Sequence, residues 1–220
     1  MAAIDELIAG HSATVQLQRI KWRRSNWESV WDADPSLAGR EVLDIIDTEV
    51  AGDGAGTIRR SWLRSLADDD PVVFLAGSTI WGFGNYVRRG RGALLAMLQT
   101  PQVDAITREI IDAARTDAGS GFSTLFAGGR SRISWLGIAF GTKVVHFAGY
   151  DYANPRPVIL DARVHAAARF LDSSAPVPNP ATYTTGAQYR TYCEWVGDVA
   201  ARNGVEPELV EYALFVHAGR

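Results

Sequence analysis

The stretch Leu136-Gly137-Ile138-Ala139-Phe140-Gly141-Thr142-Lys143-Val144, followed by Pro157-Val158-Ile159-Leu160-Asp161-Ala162-Arg163-Val164, decides how this chain is read. Its spacing predicts a short helix over about 131–138, a tight glycine-bearing connection from Gly137 to Gly141, and a second helix over 142–149. Asp161 then opens a third helix through about Leu171. Lys143 is one of two lysines set against twenty arginines, so a reason specific to lysine is called for. Arginine keeps its proton in a protein, whereas lysine can become a neutral amine nucleophile. At a helix start the local dipole disfavours the charged amine, and the exposed N–H groups there can hold a phosphate without reading base sequence. Asp161 stands eighteen residues beyond Lys143. Its local role is to cap its helix; beside a reacting sugar the same carboxylate would stabilise positive charge as a glycosidic bond breaks.

Outward from this stretch the pattern is helical nearly throughout. Ser36 is read as the cap of an amphipathic helix carrying Leu37, Val42, Leu43, Ile45, Ile46 and Val50, ended by the loop Gly52 to Gly56. Asp70-Pro71 opens an apolar helix from Val72 to about Trp81, stopped at Gly82-Phe83-Gly84. Pro101 starts another, with Val103, Ile106, Ile110, Ile111 and Ala114 on one face. A short helix is expected over 121–127, a proline-bearing linker over Ser173 to Tyr183, and two closing helices over about 184–203 and 207–217. No strand pair, repeat, G-x-G-x-x-G spacing or Walker-type loop is read, and the expected class is all-α.

Composition bounds the function. At 220 residues, 47% hydrophobic and 21% charged, the chain reads as a single globular domain over 1–220, with no apolar run of the roughly 20 residues that span a bilayer. One cysteine, Cys193, excludes an internal disulfide framework, and the four scattered histidines lack metal-ligand spacing, so neither a metal nor another cofactor is expected. No basic start followed by an apolar block marks a secretory signal, and the expected location is the cytoplasm. The net charge of −3 hides an uneven distribution: residues 82–169 hold eleven Lys/Arg against six Asp/Glu, while both flanks are acidic. A local basic surface of that kind suits phosphates, because affinity follows the local field.

Residues Leu136 to Leu171 resemble the helix-hairpin-helix (HhH-GPD) DNA glycosylases, in particular the 8-oxoguanine glycosylase (OGG) type, where a hairpin lysine precedes an essential aspartate by about this interval. More loosely, Trp81-Gly82-Phe83-Gly84, Arg88-Arg89-Gly90-Arg91 and Val210-Glu211-Tyr212-Ala213-Leu214-Phe215 are similar to small bacterial OGG-fold proteins. The resemblance implies two helical lobes with the active-site cleft between them, the hairpin core over about 131–172 and the terminal helices in the second lobe. It implies that Lys143 attacks the anomeric carbon, that Asp161 assists base departure, and that Ala139, Phe140, Gly141 and Thr142 hold a DNA phosphate. This sequence departs from the family hairpin Leu-Pro-Gly-Val-Gly: the proline is missing and Ala139 takes the first glycine position.

The implied activity is excision of a flipped-out modified base from DNA, leaving an abasic site, with strand cleavage as a further step in some members. The base would be oxidised guanine, or glucosylated hydroxymethylcytosine of phage DNA as in defence relatives. The alternative is a non-catalytic helix-hairpin-helix module in which Lys143 and Asp161 are ordinary helix-start residues. Trp81 and Phe83 are candidates to stack on an extruded base or fill its gap, with a core position as the other reading. Arg88, Arg89, Arg91 and Arg163 are candidate backbone contacts, and Trp22 and Trp27 beside Arg19, Lys21, Arg23 and Arg24 fit nucleic acid or a helix with snorkelling cations. His146 and His165 read as helix-face residues, and Cys193 as buried and inert. DNA is the expected partner of a monomer, with no obligate protein partner.

Overall fold

The computed structural model describes residues 2–10, 18–54, 56–84 and 86–218. They form the helices α1 (Ala2–Ala9), α2 (Ser29–Ala33), α3 (Val42–Asp53), α4 (Arg60–Ser65), α5 (Pro71–Phe83), α6 (Val87–Leu98), α7 (Val103–Thr116), α8 (Ala118–Leu125), α9 (Ile138–Gly149), α10 (Ala162–Leu171), α11 (Gly186–Asn203) and α12 (Pro207–His217). The all-α class holds, with one addition. Arg19–Lys21 (β1) pairs antiparallel with Thr57–Arg59 (β2), Ile20 opposite Ile58. Strands of three residues whose partners lie far apart in sequence leave no period-2 pattern to read.

The chain divides into two compact units. One comprises Gln16–Glu109 and Ser131–Leu136, the other Met1–Val15, Ile110–Arg130 and Gly137–Arg220. In the first unit, α5 packs against α3, α4 and α6. Its residues Pro71 to Trp81 are buried on every side, as a helix apolar all round must be. Asp70 caps it as expected, its carboxylate accepting from Val72 N (2.7 Å) and Val73 N (3.1 Å), with Pro71 in the first turn. The helix runs through Gly82 to Phe83, two residues past the expected end at Trp81. Ser36 is not the cap of α3: its hydroxyl bonds Asp34 Oδ1 at 2.6 Å, and α3 begins at Val42 after Glu41. Arg24 forks to Asp44 (2.6 Å) and Asp47 (2.7 Å), and Trp22 Nε1 donates to Asp47 at 2.6 Å, while Trp27 is buried. Trp22 and Arg24 are thus committed to holding α3, and Trp27 packs against Gly90 of α6.

In the second unit α11 lies against α8 and α12, α9 against α8, and α10 against α12, with α1 on α10, α11 and α12. Both terminal helices share this unit with α9 and α10, and 131–136 belongs to the first unit. Residues 131–136 are also not a helix. They are turns, with Trp135 in the left-handed region at φ 63°, where a bulky side chain is uncommon. A residue held at positive φ cannot continue a right-handed helix, so none passes through Trp135.

Candidate active site

The glycine segment is the beginning of α9 itself. Gly137 is its N-cap, and the N–H groups of Phe140 (3.1 Å) and Gly141 (2.8 Å) donate to Gly137 O. Only the N–H groups at the very start, Ile138 and Ala139, lie where a helix supplies no internal acceptor. Gly141 answers a packing demand: a Cβ there would lie 2.5 Å from Leu125 Cδ2 and 2.8 Å from Phe126 Cζ, so α8 and α9 approach closely only because it is absent. Lys143 is therefore the sixth residue of α9, past the first turn where the helix dipole acts, and the expectation of an amine tuned at a helix start does not carry over. Half-buried, it reaches back along its own helix. Nζ donates to Ala139 O at 2.9 Å and lies 5.0 Å from the centre of the Phe140 ring.

Asp161 is the N-cap of α10. Its Oδ1 accepts from Arg163 N (3.0 Å) and Val164 N (2.9 Å), and no bond falls on Oδ2 among the described residues. Arg163 itself lies on the exposed side of α10 with its guanidinium 4.3 Å over the Phe215 ring. The segment that delivers Asp161, Pro157 to Leu160, is buried without belonging to any helix or strand. Each of its carbonyls is met by a side chain. His146 Nδ1 lies 2.8 Å from Pro157 O, and because a carbonyl only accepts, that nitrogen carries the proton. Tyr189 OH donates to Val158 O (2.7 Å) and Tyr192 OH to Ile159 O (2.9 Å). Thr142 Oγ1 lies 3.2 Å from Leu160 O and accepts from Leu160 N at 3.0 Å. A buried backbone group left without a partner costs about 1–3 kcal/mol, so these side chains are what permit an extended segment here. The Thr142–Leu160 contact joins the residue before Lys143 to the residue before Asp161, and it makes neighbours of positions eighteen apart.

Residues 13–215 match the protein family described as "Putative 8-oxoguanine DNA glycosylase OGG-like protein". The chain belongs to this family. No curated protein and no solved structure matches it. The glycosylase thus acts on DNA, and the remaining candidate residues can be placed against that substrate.

Trp81 and Phe83, expected to stack on a base, are 3% and 8% exposed. The Arg60 guanidinium covers the Trp81 ring at 5.3 Å, and Phe83 lies against the α-carbon of Gly90, where a Cβ would be 2.9 Å from its ring. Both are packing residues of α5 in the glycosylase as described. The large exposed aromatics are Tyr86, Trp135, Tyr152, Phe170 and Tyr183. Of these Trp135 stands two residues before the α9 cap, and sequence reasoning missed it by assigning 131–138 to a helix. Its signal in the sequence was a tryptophan next to Leu136-Gly137 after a serine- and glycine-rich approach. Arg88 and Arg89 are exposed in the first turn of α6, where the dipole is unfavourable to cations, and Arg91 Nη1 bonds Ser29 Oγ at 3.2 Å. Thr142, expected at a phosphate, is fully buried with its hydroxyl engaged as above. A cavity of about 480 Å³ lined by Arg156, Arg190, Glu194, Asp198 and Glu206 lies elsewhere on this unit. Both of its arginines are paired, Arg190 with Glu194 and Asp117 and Arg156 with Glu206. Among the described residues no group of three or more His, Cys, Asp or Glu is placed to hold a metal ion, and no helix is long and apolar enough to cross a membrane.

Proposed function

We propose that this glycosylase extrudes a modified base from DNA, oxidised guanine first among them, and breaks its N-glycosidic bond with Lys143 and Asp161 as the reacting pair. Lys143 Nζ, released from Ala139 O after giving a proton to solvent, bonds to the sugar's anomeric carbon as the bond to the base breaks and its electrons leave with the base; opening of the sugar ring with loss of a further amine proton then gives the imine that borohydride reduces. The Asp161 carboxylate stabilises the positive charge that the sugar ring develops as this happens. Oδ1 is held by the α10 cap, which leaves Oδ2 for the sugar. The reading is carried by one observation, the direct contact of Thr142 with Leu160 that brings the residues following each of them into one neighbourhood. The start of α9 at Ile138 and Ala139, with Arg88, Arg89 and Arg91 on α6 and Arg163 on α10, supplies phosphate contacts. Trp81 and Phe83, buried in α5, are not available as the stacking face.

The test is mass spectrometry of free bases from a DNA panel containing oxidised guanine and glucosylated hydroxymethylcytosine, together with borohydride trapping. Release of oxidised guanine, and a covalent adduct lost in Lys143→Gln, is the expected result. Release only from the glucosylated DNA reassigns the enzyme to phage defence. Release without any adduct removes the amine from the mechanism. Tight DNA binding with all bases left intact means a binding module.

A further inference from the structure

We infer that Thr142 is a positioning residue for the Asp161 carboxylate, acting through the side-chain-suspended segment Pro157–Leu160. The inference rests on the proposed role of Asp161 and adds to it what holds that carboxylate in place. Four consecutive carbonyls, Pro157 to Leu160, accept from side chains of α9 and α11, namely His146, Tyr189, Tyr192 and Thr142. A strand ladder would satisfy the same groups through repeating backbone bonds. Here each carbonyl is bound by a different side chain, so the segment has one register only. The rings that hold it are themselves fixed: Tyr189 stacks on Phe122 at 4.9 Å, and burial pushes its hydroxyl well above the ordinary value, which keeps it a donor.

Thr142 differs from the other three. Its oxygen accepts from Leu160 N at 3.0 Å, and its single proton has two carbonyls in reach, Leu160 O at 3.2 Å and Ile138 O at 3.0 Å. One hydroxyl therefore fastens the first turn of α9 to the last residue before Asp161. Ahead of the carboxylate, the α10 cap fixes Oδ1. Behind it, Thr142 fixes the backbone. Since the hydroxyl is fully buried, it touches no substrate, and its effect on the reaction passes through what it fastens, the first turn of α9 and the residue before Asp161.

The experiment compares wild type, Thr142→Val, Thr142→Ser and Tyr192→Phe as full-length proteins on an oxidised-guanine duplex. Melting temperature, DNA affinity and single-turnover base release are measured for each. Removing the Thr142 hydroxyl at constant shape is expected to slow release by about ten- to a hundredfold, the scale of a small misplacement of a catalytic group. DNA affinity should be unchanged, and Thr142→Ser should restore the rate. Tyr192→Phe, which frees the preceding carbonyl, should slow release in the same direction and covers the case in which Thr142→Val does not fold. The inference is overturned if the folded variants release base within about threefold of wild type, if serine fails to rescue, or if the rate falls only in step with DNA affinity. Absence of release by the wild type itself strikes the proposed function, and the two failures are thereby separated.

Discussion

Asp70 and Asp161 perform the same local task in the two units, and only one of them is a candidate for chemistry. Each has an extended backbone, each accepts from the N–H groups two and three residues ahead through Oδ1, and each starts a helix with an apolar face. The difference lies in what precedes them. Asp70 follows a short 3-10 turn closed by local backbone bonds such as Asp69 N to Leu66 O at 3.2 Å. Asp161 follows a buried segment held by side chains that arrive from as far as Tyr189 and Tyr192, and it lies next in sequence to the residue Thr142 binds. A cap is a local invention; a site needs bonds that cross the fold.

The largest effect should come from Asp161→Asn. Asparagine caps a helix as well as aspartate, so α10 survives, while loss of the negative charge should slow base release by about a hundredfold or more. Asp70→Asn, assayed alongside, should leave release unchanged, and an equal loss in both would erase the distinction drawn between them. Next in size is Asp70→Ala, which removes a cap without chemistry. It should cost about 1 kcal/mol, a fall of about 2–4 °C in melting temperature for a chain of this length, with the rate constant of release unaltered. A change in rate without a change in stability would mean Asp70 has a role beyond its helix. The smallest effect sharpens the other side. Burial pushes the Cys193 thiol up to about 12, partly offset by hydrogen bonding with the Val158 backbone and Tyr189. The thiolate is therefore scarce below that pH, and iodoacetamide at pH 8 should leave native Cys193 unmodified while labelling it after denaturation. Rapid native labelling would show that α11 does not hold the segment as described.

Both aspartates were legible in the sequence because capping is written within four residues, and so were the apolar run of α5 and the closing helices. The start of α9 was misread. Gly137 and Gly141 look like a hairpin, but one is an N-cap and the other makes room for Leu125 and Phe126 at the end of α8, a demand from far upstream that no local pattern carries. Trp81 and Phe83 were open to two readings, a stacking face or a core position, and α5 decides for the core by continuing through Gly82 and burying them. The side chains that suspend Pro157–Leu160 left no trace at all. Tyr189 and Tyr192 occur at helical spacing and are buried; that their hydroxyls satisfy backbone carbonyls thirty residues away is decided by tertiary packing.

The paucity of lysine makes the central claim directly measurable. The protein is incubated with oxidised-guanine DNA, trapped with borohydride and digested, and the modified peptide is located by mass spectrometry. With Lys21 and Lys143 the only lysines in the chain, the residue that bonded to the sugar is read without ambiguity. The account predicts the sugar remnant on the peptide containing Lys143. A remnant on Lys21 or on the N-terminal amine, or released base with no remnant anywhere, would contradict it.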